Sequence, residues 1–258
     1  MPAIRSVINV HAEGSIARAT IESMLAAEDF ATQRGVSVRT LVVADRATQD
    51  TIEAIGPYRD RMQIEHVNLG DLGLARNFGV EMAASEYVSF FDGDDLAGAD
   101  WLYQAYVTAR ANPSYIVHPH YCINFGKFEH ITEIVPMTDR AFRKTYPIFA
   151  NPFPPHNLAR TAVHRDVKYR KIDLASGFGY EDWAWNRDTI GAGYVHVVAK
   201  NTMMFYRRKH VGSLNLMSAS QGCLPLPSPR FFEERRPSGA SGRAQQRAIM
   251  PVEAPRSL

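Results

Sequence analysis

Apolar and polar positions fall in alternating blocks over the first 110 residues, short β-branched runs separated by longer stretches with apolar residues every three to four positions. Residues 6–10 and 38–43 read as strands. Between them Ile16, Ala19, Ile21, Met24 and Leu25 recur at roughly helical spacing, over a length suited to a crossover. Residues 63–67 and 87–91 give a third and a fourth strand, with a helix over 72–84 ahead of the fourth. A further helix over 98–110 stops before Asn112-Pro113, because the residue ahead of a proline resists helical geometry. This order predicts an α/β fold with a mostly parallel sheet flanked by helices. From 115 to 128 the pattern turns irregular, with aromatic and β-branched residues suited to additional strands. The stretch 146–156 holds prolines 147, 152, 154 and 155 and is expected to be a loop. Beyond about residue 218 Pro, Ser, Arg, Gly and Gln dominate, with few apolar anchors besides Phe231 and Phe232. The expectation is one domain over 1–218 and a basic tail without fixed structure over 219–258.

Composition narrows the classes. A chain of 258 residues with 45% apolar content has enough material for a full core. The net charge is +2, and the last forty residues carry six Arg against three Glu, so the remainder is slightly acidic and offers no electrostatic footprint for nucleic acid. Cys122 and Cys223 are far apart and form neither a disulfide framework nor a zinc knuckle, which suits a reducing, cytoplasmic setting. His118 and His120 lie near Cys122, but no other pattern supplies the remaining ligands a zinc site needs. No basic segment with a following apolar run, and no stretch of about 18 apolar residues, predicts export or a membrane span. The pattern is compatible with peripheral contact at the inner face of a membrane.

The sharpest local feature is Phe90-Phe91-Asp92-Gly93-Asp94-Asp95, where a strand of buried type runs into three carboxylates. In an open parallel sheet, ligands bind beyond the carboxyl ends of the strands. Carboxylates at this density suit a hard divalent cation, Mg²⁺ or Mn²⁺, that bridges a diphosphate. The same run also suits a cap on the following helix. Asp45 ends the second strand, and His11, Glu13 and Gly14 follow the first, so three strand ends offer polar groups to one crevice. Each of these also has a plain structural use as a cap or turn. The segment 70–77 is Gly-rich but matches neither G-x-x-x-x-G-K-[ST] nor G-x-G-x-x-G, which argues against a P-loop kinase and a Rossmann dehydrogenase. Tyr180, Glu181, Asp182 and Trp183 set two acids beside aromatic surface, an arrangement that holds a hydroxylic substrate and accepts its proton, or simply opens a helix. Tyr206-Arg207-Arg208-Lys209-His210 gathers cations that suit phosphate, or a solvated turn.

Taken in order, these motifs resemble glycosyltransferase family 2, the inverting family with the GT-A fold, over roughly residues 4–216. Residues 41–45 with 48–51 are similar to the family's strand and turn in which an Asp, here Asp45, contacts the nucleobase. Arg46-Ala47 departs from the acid and glycine common there. Gly73 to Gly79 resembles the family's Ala-Arg-Asn-x-Gly helix, implying that Arg76 lies near the nucleotide. Asp92-Gly93-Asp94-Asp95 looks like the Asp-x-Asp motif, implying Asp94 as the best metal ligand and Asp92 as a further ligand that helps with ribose or water. Glu181-Asp182 resembles the pair whose second member is the catalytic base. His210 before Val211-Gly212-Ser213 is similar to the closing segment that supplies a histidine near metal and diphosphate. The resemblance implies a nucleotide-binding half over about 1–112, an acceptor half over about 113–218, and Tyr180 and Trp183 against the acceptor. It implies transfer from a nucleotide diphosphate sugar, UDP-type, to a hydroxyl of a glycan, a lipid-linked glycan or another acceptor, in bacterial polysaccharide or glycoconjugate synthesis. A metal-dependent phosphohydrolase or nucleotidyltransferase, or a non-catalytic nucleotide- or glycan-binding protein on the same scaffold, are the alternatives.

Overall fold

The computed structural model describes residues 1–127, 129–209 and 212–233. Strand β1 (Ile4–Val10) leads through helix α1 (Ile16–Thr32) to β2 (Val38–Asp45), and α2 (Gln49–Ile55) leads to β3 (Gln63–Val67). Helix α3 (Leu72–Glu81) precedes β4 (Tyr87–Asp92), the short β5 (Leu96–Ala97) and α4 (Trp101–Arg110). The second part holds β6 (Tyr115–Gly126), β7 (His130–Glu133), α5 (Tyr146–Phe149), β8 (Asn157–Arg160) and α6 (Thr161–Asp166). It continues with β9 (Phe178–Gly179), α7 (Glu181–Gly191), β10 (Val195–Arg208), α8 (Leu214–Ser220), β11 (Leu224–Pro225) and α9 (Pro229–Glu233).

The main sheet runs β3-β2-β1-β4-β8-β6-β10-β5, with β7 beside β6. The first four strands are parallel, β8 enters antiparallel between β4 and β6, and β6 pairs parallel with β10. Alternation in the central strands feeds two apolar layers. Ile4, Ile8, Val42 and Phe91 pack with α1 and α4 residues such as Met24 and Trp101, while Val7, Leu41, Val43 and Phe90 join Ala75, Val163 and Trp185. Strands buried on both faces read as near-continuous apolar runs, which is why they stand out in the sequence.

Elements depart from expectation where tertiary contacts decide. The irregular stretch from 115 is one 12-residue strand, because a bulge in β10 between Ala199 and Met203 absorbs the disruption opposite Pro119. The helix expected from 98 begins at Trp101, since Gly98 donates its N–H to the Met203 carbonyl beside β10. One helical turn, α5, stands inside the proline-rich loop.

Residues 219–233, expected as structureless, instead pack: β11 pairs with β9, and α9 lies on α7. Phe231 is buried against Gly191, where an added Cβ would stand 2.5 Å from the Phe231 nitrogen. The remainder of the expected tail, 234–258, lies outside the described residues. Among the described residues no helix is long and apolar enough to cross a membrane.

Candidate active site

Strand β1 sits between β2 and β4, so the strand order reverses there and a crevice opens at the carboxyl ends of all three. A cavity of about 600 Å³ occupies that crevice, with His11, Glu13, Asp45, Gly93, Asp94 and Tyr180 among the residues lining it. The His11 Nδ1 lies 2.7 Å from the Asp45 carbonyl oxygen. Both oxygens of the Asp45 carboxylate already serve the chain, accepting N–H bonds from Leu69 (2.7 Å), Gly70 (3.0 Å) and Asp71 (3.2 Å). That carboxylate therefore fixes the turn into α3. Gly93 allows the acid turn to fold onto β1: a Cβ there would stand 2.7 Å from the Asn9 carbonyl oxygen.

Asp92 and Asp94 each pair with a cation, while Asp95 is held by the backbone N–H of Arg207 and by His156. Arg76, with no solvent exposure, reaches from α3 to Asp92 (2.9 Å) and to Glu181 on α7 (2.8 Å). Burial alone lifts the Asp92 carboxyl, but Arg76 and then His156 outweigh it and hold it below the usual range. Asp94 pairs with Lys209 Nζ at 2.8 Å. Asp95 accepts the Arg207 N–H at 2.6 Å and lies 3.0 Å from His156 Nε2. Its burial pushes its carboxyl up to about 6. Glu13 accepts the His11 N–H, and burial lifts its carboxyl despite Lys209 nearby.

Asp182 occupies the first turn of α7, two residues after Tyr180, which caps the helix in the left-handed region at φ +56°. Burial, and next the charge of Glu181, push the Asp182 carboxyl up to about 7, against the pull of Arg76. A second cavity of about 450 Å³ adjoins the first, and Asp182, Tyr206, Pro155 and Asn215 line both. Asp182 thus stands in the partition between two chambers.

Residues 7–167 match the profile described as Glycosyl transferase family 2, more than half of the chain. The chain belongs to this family. Its fold is the expected GT-A arrangement. Solved structures similar to it include S. aureus TarS 1–349 in complex with UDP-GlcNAc, with TM-score 0.64 and 16% identity over 83% of this chain and 61% of that one. The same protein in complex with UDP gives TM-score 0.59 and 16% identity over 86% and 65%. Without ligand it gives TM-score 0.59 and 18% identity over 80% and 60%. The chain thus spans about three-fifths of the length of these structures. No curated protein matches the sequence.

The family member's acid turn has donors that fit a hard divalent ion. Asp92, Asp95 and His156 bring ligand atoms within 4.8 Å of one another, and Asp94 extends a carboxylate into the larger cavity. Lys209 already holds positive charge at Asp94, so an ion taking that oxygen has to displace it. His210 lies outside the described residues. Tyr180, expected against the acceptor, lines the larger cavity with the strand-end acids. Trp183 lines neither chamber; its indole N–H donates to the Pro147 carbonyl oxygen (2.8 Å) and braces the proline-rich loop. His118 is no metal ligand in this arrangement, because its Nε2 is 2.8 Å from His196 Nδ1, and burial keeps it neutral with a pKa lowered to about 3. Sequence reasoning passed over Lys209 as an individual partner of Asp94, as well as His156 and Asn151. The last two sit in a stretch expected only to shape a surface.

Proposed function

We propose that this family 2 glycosyltransferase moves a sugar from a nucleotide diphosphate donor, of UDP type, to an acceptor hydroxyl in one inverting displacement. What carries the reading is Asp182, a carboxylate with a raised pKa shared by two chambers. A general base works best with a pKa near the operating pH, within reach of both partners. The UDP and UDP-GlcNAc complexes of the similar TarS fold support the donor class.

In this reading the donor lies in the larger chamber, its nucleotide against the ends of β1 and β2 and its diphosphate toward Asp92 and Asp94. His11, Glu13, Asp45 and Gly93 shape that chamber, and Arg76 holds Asp92 and Glu181 at a fixed separation. The acceptor hydroxyl enters from the smaller chamber. Asp182 takes its proton as the oxygen attacks the anomeric carbon, the carbon–oxygen bond to the diphosphate breaks on the opposite face, and nucleoside diphosphate leaves. Asp94 with Asp92 would hold Mn²⁺ or Mg²⁺, which when bound supplies positive charge to the departing phosphate oxygen. Lys209 is placed to follow that charge from Asp94 onto the diphosphate. The acceptor in this reading is a glycan, a lipid-linked glycan or another hydroxyl compound.

The deciding experiment follows nucleoside diphosphate release from a panel of nucleotide sugars, with and without Mn²⁺, for wild type, Asp94→Ala and Asp182→Asn. Asp182→Asn is expected to lose about 10²- to 10⁴-fold in transfer with donor affinity kept, and Asp94→Ala to lose metal-dependent donor binding. Equal loss of donor binding in both variants would overturn this division. Nucleotide turnover without a glycan product, insensitive to Asp182→Asn, would point to a phosphohydrolase instead.

A further inference from the structure

Helix α7 grips the proline-rich loop through one face. Trp183 Nε1 and Arg187 Nε both donate to the Pro147 carbonyl oxygen at 2.8 Å, and a terminal Arg187 nitrogen donates to Ile148 O at 2.8 Å. The buried Asn186 donates to the Phe153 carbonyl oxygen at 3.2 Å. Within the gripped segment, Asn151 bridges two positions of α7 that lie four apart and so share a face. Its Nδ2 donates to Asp182 Oδ2 at 2.9 Å, and its Oδ1 accepts from Asn186 Nδ2 at 2.8 Å.

Chemistry fixes the direction of this chain. An ionised carboxylate only accepts hydrogen bonds, so the amide nitrogen of Asn151 has to face Asp182 and its oxygen has to face the Asn186 amide nitrogen. The other Asp182 oxygen, Oδ1, takes the Trp183 N–H at 2.8 Å. One fixed donor on each oxygen removes the rotational freedom of the carboxylate. Asn151 also lines the smaller chamber, so it stands on the side from which the acceptor arrives.

We propose that Asn151 is a positioning residue for Asp182, the middle member of an Asn186–Asn151–Asp182 relay that sets the orientation and the proton affinity of the base. The inference rests on Asp182 being that base. A hydrogen bond to the charged form favours that form, so Asn151 works against the burial that raises Asp182. The other charged or titratable groups acting on Asp182 are Glu181, Arg76 and Asp92, with the phenols of Tyr169, Tyr180 and Tyr206 around it. None of them belongs to the relay, so removing an amide leaves them in place.

Two readouts test the relay. In the first, carboxyl-¹³C aspartate labelling of the full chain, with the Asp182 resonance assigned by its loss in Asp182→Asn, gives its titration directly. Asn151→Ala is expected to raise the Asp182 pKa by about one unit, and Asn186→Ala by a smaller amount in the same direction. In the second, transfer kinetics are expected to show kcat lower by about 10- to 100-fold in Asn151→Ala, with nucleotide affinity within about twofold of wild type. The Asn151→Ala, Asn186→Ala double variant is expected to be no slower than Asn151→Ala alone, because residues acting as one chain are non-additive. An unmoved Asp182 titration in a folded Asn151→Ala protein would sink the proposal. So would a loss confined to acceptor KM, which would make Asn151 a plain acceptor contact, and so would additive effects of the two Asn variants. Full transfer by Asp182→Asn would instead remove the reading on which the relay rests.

Discussion

The proposed function turns on the charges of Asp182 and Lys209, and each gives a measurable consequence. The Asp182 carboxyl is raised to about 7, so its basic form is a minority below that pH. The expected kcat/KM therefore rises with pH through about 7 and levels above it, and this limb disappears from the residual activity of Asp182→Asn. The sign for stability is opposite. The folded pKa lies above the unfolded value near 3.8, so ionising Asp182 disfavours the fold, and its contribution to stability falls as pH rises from about 4 to 7. Urea melts of wild type and Asp182→Asn across that window check this, with the variant gaining relative stability toward pH 7. Lys209 competes with any cation for Asp94, so Lys209→Met is expected to bind Mn²⁺ about fivefold more tightly without nucleotide, roughly the ~1 kcal/mol of a partly exposed pair. Titration of free Mn²⁺ by its spin resonance reads this directly. The acids 92, 94, 181 and 182 were legible in the sequence because carboxylates at strand and helix ends make a dense local pattern. Asn151 and Asn186 were not, since a neutral amide carries no pattern and becomes chemical only when a loop and a helix meet.

At the scale of elements, strands buried on both faces declared themselves, as β1, β2 and β4 do. The long β6 did not, because Pro119 interrupts its pattern and only the bulge in β10 shows how the ladder tolerates it. Residues 219–233 were misjudged for a related reason. Two aromatics in a polar stretch give no periodicity, yet Phe231 is 1% exposed, held where Gly191 lets the backbones meet. Phe231→Ala is expected to lower the unfolding free energy by about 3–5 kcal/mol, measured by denaturant titration. A change under about 1 kcal/mol would mean that α9 contributes little to the fold. Because α9 backs α7, the same substitution is also expected to loosen the helix that presents Asp182.

For the molecule as a whole, the α/β class follows from block alternation, whereas the antiparallel entry of β8 between β4 and β6 does not. That placement is set by pairing between residues 87–90 and 157–160, a distance over which no local pattern reports. The proposed donor chamber predicts that nucleoside diphosphate with Mn²⁺ stabilises the folded chain. At 100 times the dissociation constant the gain is about 2.7 kcal/mol, which for a domain of this size raises Tm by roughly 5–10 °C in a thermal melt. No shift with any nucleoside diphosphate would argue against that chamber as the donor site.

The partition carrying Asp182 also sets a default fate for the donor. When the smaller chamber holds no acceptor, water can occupy it and meets the same carboxylate at the same anomeric carbon. On the proposed reading the idle enzyme is expected to hydrolyse its donor slowly, at a rate set by how well the acceptor expels that solvent. A molecule that fills the smaller chamber without offering a hydroxyl would silence the leak while leaving the donor bound. Suppression of idle turnover is therefore a way to find molecules that fit the smaller chamber before any glycan product has been seen.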